Sequence, residues 1–85
     1  MNNIEELTLL LLYLTSWEKE GYFENEYGKM EQGVLKHSWK GYSFEVLNTL
    51  TYEQYLFSNY KSKYVTLTKK GEERAKELVK KYIEK

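Results

Sequence analysis

Apolar positions divide the chain into two regular blocks joined by an irregular one. In the first block Ile4, Leu7, Leu11 and Leu14 recur at helical spacing, and Leu10 and Trp17 widen the stripe. Leu9, Leu12 and Tyr13 fall on other faces. The helix is therefore apolar nearly all round, as helices buried on several sides are. Asn3 with Glu6 three residues on resembles a capping box, so a helix is predicted over about 3–19. Its surplus apolar surface has two readings. Either it is a central helix packed between other elements, or one face packs on a second subunit.

The second block runs from Ser43 to the C-terminal helix. Ser43 is a good N-cap for a helix over 43–53, in which Phe44, Leu47 and Leu50 recur. Tyr55-Leu56-Phe57 suits a strand, Ser58 to Ser62 a polar turn, and Tyr64-Val65-Thr66-Leu67 an alternating strand. A β-hairpin over 55–67 is the expectation. Thr68 caps a last helix over 68–83. There Ala75, Leu78, Val79, Tyr82 and Ile83 follow at i, i+3, i+4, i+7 and i+8. Gly71 in its first turn is a poor helix former, which points to a close backbone approach. Glu72–Lys76 and Glu77–Lys81 are i,i+4 pairs in the favourable order and read as a solvated face.

Residues 20–42 resist a single reading. Tyr27, Met30 and Val34 could line a short helix, but Gly28 and Gly33 each cost ~1 kcal/mol in a helix interior. Val34 to Trp39 reads alternatively as a strand. Glu20-Gly21 and Lys40-Gly41 look like the boundaries of an irregular insertion. The core predicted from these patterns is Leu7, Leu10, Leu11, Leu14, Trp17, Leu47, Leu50, Leu56, Val65, Leu67, Leu78 and Val79.

Composition narrows the chemistry. Eighty-five residues make one domain, residues 1–85, with room for one core. All thirteen acidic residues are Glu, and Arg74 is the only arginine. With no Cys and no Asp, neither a disulfide nor a Ser-His-Asp or Cys-His arrangement can be built. His37 is the only histidine, too few for the usual zinc site. Glu5/Glu6 and Glu24/Glu26 are paired carboxylates, but they sit at a helix start and in the insertion. The five glycines form no phosphate-binding pattern. No catalytic residue, cofactor or metal ligand is expected. The apolar run Leu9–Leu14 is too short to span a membrane, and the residues before it are acidic, unlike a signal peptide. A cytoplasmic protein is the expectation.

Net charge is zero but unevenly placed. Residues 1–34 carry −5, residues 35–71 carry +4 and residues 72–85 carry +1. Aromatics are frequent, with nine Tyr, three Phe and two Trp. Tyr interleaved with Lys over 60–64 is a pattern that stacks on single-stranded bases. The same pattern arises where Tyr64 packs on a sheet face and Tyr60 decorates a turn.

The helix with Leu47 and Leu50, the strand at Leu56-Phe57 and the polar tip at 58–62 resemble the second half of bacterial winged-helix proteins of the MarR and PadR kind. So does Val65-Thr66-Leu67-Thr68-Lys69-Lys70-Gly71, because Leu-Thr-x-x-Gly is a common exit from the wing in those families. The whole chain is also similar to a group of short uncharacterised bacterial proteins. They share a Leu-rich first helix, a variable insertion and an element like Trp39-Lys40-Gly41-Tyr42. The resemblance implies an α+β, winged-helix-like fold, mostly helical with a two-stranded β-hairpin wing. It implies binding of duplex DNA as a transcriptional regulator does. Lys61 and Lys63 of the wing, with Lys40 near, would lie on phosphates, and Asn48 and Thr49 nearest the bases.

Two features depart from that pattern. No supporting helix is visible between residues 20 and 42. From Tyr42 to Tyr60 there is no Lys or Arg, while Glu45 and Glu53 are present. The alternative expectation is a protein-interaction module that kept the fold without DNA binding. The acidic N-terminal segment and the tyrosines favour it. The surplus apolar faces of helix 1 also suggest a homodimer through helix 1 and the C-terminal helix.

Overall fold

Asn2, one residue earlier than predicted, caps the first helix. Its side chain accepts from the Glu5 N–H at 2.9 Å, and the Glu5 carboxylate accepts from the Asn2 N–H. In the computed structural model this helix, α1, runs Asn3–Leu14. The structure describes residues 1–24, 27–58 and 61–84, with Phe23 and Glu24 described by backbone alone. Glu26 of the predicted Glu24/Glu26 pair, the predicted turn centre Asn59-Tyr60, and Lys85 lie outside the described residues. Helix α1 stops short of the predicted end at 19 because Thr15 and Ser16 turn their hydroxyls back to the Leu11 and Tyr13 carbonyls. Trp17 then opens a strand.

The region 20–42 is a long antiparallel hairpin, β1 (Trp17–Glu24) with β2 (Met30–Trp39). Gly21 and Gly33 face one another across it, and Gly28 takes a positive φ of 78° in the connection. After it come α2 (Phe44–Tyr52), β3 (Leu56–Ser58), β4 (Tyr64–Leu67) and α3 (Lys69–Tyr82). Ser43 sits at the α2 N-cap without a side-chain cap bond, whereas the Thr68 hydroxyl accepts from the Gly71 N–H. Long-range pairing of β2 with β4 unites both hairpins into one four-stranded antiparallel sheet of order β1-β2-β4-β3. This overturns the expected mostly helical winged-helix fold with a two-stranded wing. The eight and ten residues of β1 and β2 make strand where an irregular insertion was predicted. The predicted 55–67 hairpin does form, but as half of a larger sheet.

The three helices lie on the sheet face that carries Leu56, Val65 and Leu67. Leu9, Leu10 and Leu12 of α1, Leu47 and Leu50 of α2, and Ala75 and Leu78 of α3 complete the core. Val79 packs at its margin. Leu7, Leu11 and Leu14, predicted as core, are instead exposed, and Trp17 lies on the sheet face away from the helices. Helix α1 packs against α3, α2 and β2. Those contacts take the side of α1 that holds Leu9 and Leu12, which leaves the other stripe outside.

Displacement of the cap to Glu5 leaves Glu6 for a tertiary role. Its buried carboxylate accepts from Arg74 at 2.8 Å, from Lys81 at 2.9 Å and from the Tyr82 hydroxyl at 2.6 Å. Lys81 is thus drawn off the expected pairing with Glu77, which meets Arg74 instead. The Tyr82 hydrogen bond, and then Lys81, hold the Glu6 carboxyl below its ordinary 4.5. A lowered folded-state pKa contributes stability above the unfolded value and loses it as pH falls through the folded one. Melts at pH 7 and pH 3 should therefore show a larger acid loss for the parent than for Glu6→Gln. Equal losses in the two proteins would show that Glu6 contributes no such linkage.

Candidate functional site

Strand register sorts the side chains of the hairpins between two faces. Partners across an antiparallel ladder share a face. Trp17 is opposite His37, Lys19 opposite Leu35, Trp39 opposite Tyr64, and His37 opposite Thr66, which in turn is opposite Phe57. All eight lie on the face away from the helices. Glu18 and Glu20, one position out of phase, lie on the helix side, where Glu18 meets Lys36 at 2.8 Å.

The rings on the open face touch. Trp17 and Trp39 have centroids 4.8 Å apart, and His37 and Tyr64 meet edge-on at 4.6 Å. Trp17 also contacts His37 and Tyr64 at 6.0 Å. His37 is buried beneath them, with Nδ1 2.7 Å from the Thr66 hydroxyl. Burial, and then Lys19, push the His37 pKa below its ordinary 6.5 and favour the neutral imidazole. The outer rings stay open, with Trp39 61% and Phe57 68% exposed. At the end of this platform the Lys40 N–H donates to the Lys63 carbonyl at 3.1 Å.

Two further surfaces are open. Ile4, Leu7, Leu11 and Leu14 form a stripe on the outside of α1, between 42% and 65% exposed. At the opposite end of the sheet β2 outruns β4, since Met30–Leu35 pair with β1 alone. A groove of about 540 Å³ lies there, lined by Tyr22, Met30, Val34, Leu35, Phe57 and Thr66 among others.

The residues predicted to meet DNA are only partly brought together. Lys40 and Lys63 join through their backbones, and Lys61 lies in the β3–β4 connection. Asn48 is exposed on α2, and the Thr49 hydroxyl is turned back to the Glu45 carbonyl at 3.0 Å. Helix α2 buries Leu47 and Leu50 and presents Phe44 and Tyr52 outward. Of the aromatic platform only Tyr64 falls in the Tyr/Lys run over 60–64; Trp17, His37 and Trp39 carry no such signal as a site. The face of His37 and Trp39 shows in the alternation Leu35, His37, Trp39, within the segment that reads as a strand from Val34.

Among the described residues no group of three His, Asp, Glu or Cys could hold a metal ion, and no helix is long and apolar enough to cross a membrane. One family model, described as a domain of unknown function (DUF6429), matches residues 1–85. The chain belongs to the DUF6429 family. Neither a curated protein nor a solved structure matches it. This DUF6429 domain leaves two apolar surfaces open: the sheet face with Trp39 and Phe57, and the outer stripe of α1.

Proposed function

We propose that this DUF6429 domain is a protein-interaction module that pairs with a second copy of itself through the outer face of α1. One observation carries this reading: the exposed stripe Ile4, Leu7, Leu11 and Leu14. Its spacing of three, four and three residues is that of a coiled-coil seam. A two-fold pairing sets such a stripe against its own copy. No charged residue interrupts the stripe, so a second copy brings no like charge against it. Helix α3 supports the pairing less than expected, because Ala75 and Leu78 are spent on the domain's own core and only Ile83 stays exposed at its end. Duplex-DNA binding draws less support, because α2 carries no cation.

Sedimentation equilibrium over a wide concentration series tests the pairing. The parent should move from monomer to dimer with rising concentration. Leu7→Glu/Leu11→Glu should remain a monomer throughout, with an unchanged circular dichroism spectrum. A parent that stays monomeric at the highest concentration would overturn the proposal.

A further inference from the structure

We infer that the open face of the sheet is a binding site for single-stranded nucleic acid, with bases stacked on Trp39, Tyr64 and Phe57. The inference is independent of pairing through α1 and uses another surface. Stacking needs exposed ring faces on a rigid support. Trp39 and Phe57 supply the faces, and they stand on different strands on either side of β4. Trp17 and His37 supply the support. Trp17 packs on Trp39, His37 packs on Tyr64, and Thr66 holds the His37 ring at 2.7 Å. Stacking of this kind tolerates any base, because every base has a π-face.

Charge placement fits a polyanion that crosses this face. Of the six lysines in segment 35–71, Lys40 and Lys63 flank the platform, whereas Lys36 is turned to the helix side, where it pairs with Glu18. The acidic segment 1–34 contributes Trp17 and Lys19 here, while register turns Glu18 and Glu20 to the helix side. Lys19 lies beside the platform, close enough to depress the His37 pKa. Lys40 and Lys63 stand at its end. Glu31 is the one carboxylate that register places on the open face within β2, six positions from His37 toward the hairpin tip. A duplex hides its base faces within its own stack, so the platform selects unpaired strands.

The chain reports on this site directly, because its only two tryptophans are Trp17 and Trp39. Titration with an oligodeoxyuridylate, and separately with an oligouridylate, should quench tryptophan emission at low salt and less at high salt. The tighter of the two names the sugar chemistry preferred. A blunt duplex should not quench. By anisotropy of a labelled oligonucleotide, Trp39→Ala and Phe57→Ala should each weaken binding about tenfold, and Trp39→Phe should retain it. Both positions are mostly exposed, so thermal melts of the variants should match the parent. Leu7→Glu/Leu11→Glu should bind as the parent does, which separates this site from the α1 pairing. The inference would be overturned by no quenching by either oligonucleotide, by parent-like binding by both alanine variants, or by equal quenching by duplex. Emission of Leu7→Glu/Leu11→Glu that changes with its concentration alone would overturn it too, since a second copy would then cover the face without the α1 pairing.

Discussion

Gly71→Ala is expected to destabilise the domain by about 2–3 kcal/mol, although alanine ordinarily improves a helix by ~1 kcal/mol over glycine. A Cβ at this position would overlap the carbonyl oxygen of Tyr55. That carbonyl has no free retreat, because it accepts from the Thr68 N–H at 3.1 Å. The Thr68 hydroxyl donates to the Gln54 carbonyl at 2.6 Å and accepts from the Gly71 N–H at 2.9 Å. Gln54 itself is held at a positive φ of 66° where α2 turns into β3. One methyl group thus presses on the lacing that joins the end of α2, the start of β3 and the start of α3. A domain of this size has only about 5–10 kcal/mol of stability, so the loss is a large share. Urea denaturation measures it. A parent-like midpoint for Gly71→Ala would show that this corner opens without cost.

Leu9→Ala and Leu12→Ala should each cost about 2–5 kcal/mol, and Leu7→Ala and Leu11→Ala about 1 kcal/mol or less. Leu9 and Leu12 are fully buried, so truncation leaves a cavity among α3, α2 and the sheet. Leu7 and Leu11 are on the outside of the same helix and lose little contact within the domain. The measurement belongs at low protein concentration, because pairing through the outer stripe would add stability by mass action. At high concentration the Leu7 and Leu11 variants should fall further behind the parent. The reverse order at low concentration, with Leu7 and Leu11 costly, would show that the outer stripe and not Leu9 and Leu12 is the packed side of α1.

Helix α3 was legible because its apolar stripe is narrow and its outer face charged. Ala75 and Leu78 could only point inward, and Thr68 and Gly71 carry local chemistry that shows in the sequence. Helix α1 gave no such contrast. Leucines occur on both sides of it, so the regular stripe through Ile4, Leu7, Leu11 and Leu14 passes equally for a core face and a partner face. Neighbours decided between them. The capping residue was misplaced by one position for a related reason. Asn2-Asn3 and Glu5-Glu6 offer two capping boxes in adjacent registers. The tertiary partners Arg74, Lys81 and Tyr82 claim Glu6, while Glu5 closes the box with Asn2. In the hairpin, Gly28 and Gly33 were signals against helix, but it is pairing with β1, and over Lys36–Trp39 long-range pairing with β4, that makes Met30–Trp39 a strand.

By itself the sequence determined the last helix, the 55–67 hairpin, the glycine at position 71 and the absence of the residues that a thiol or Asp-based active site needs. Each of these depends on spacing or residue type within a short stretch. Only the tertiary structure decided the four-stranded sheet, the outward stripe of α1, the Glu6 cluster and the platform of Trp17, His37, Trp39 and Tyr64. Those depend on contacts between residues far apart in the chain. A strand has two faces and a helix of this kind has two apolar sides, and local pattern cannot say which will be covered.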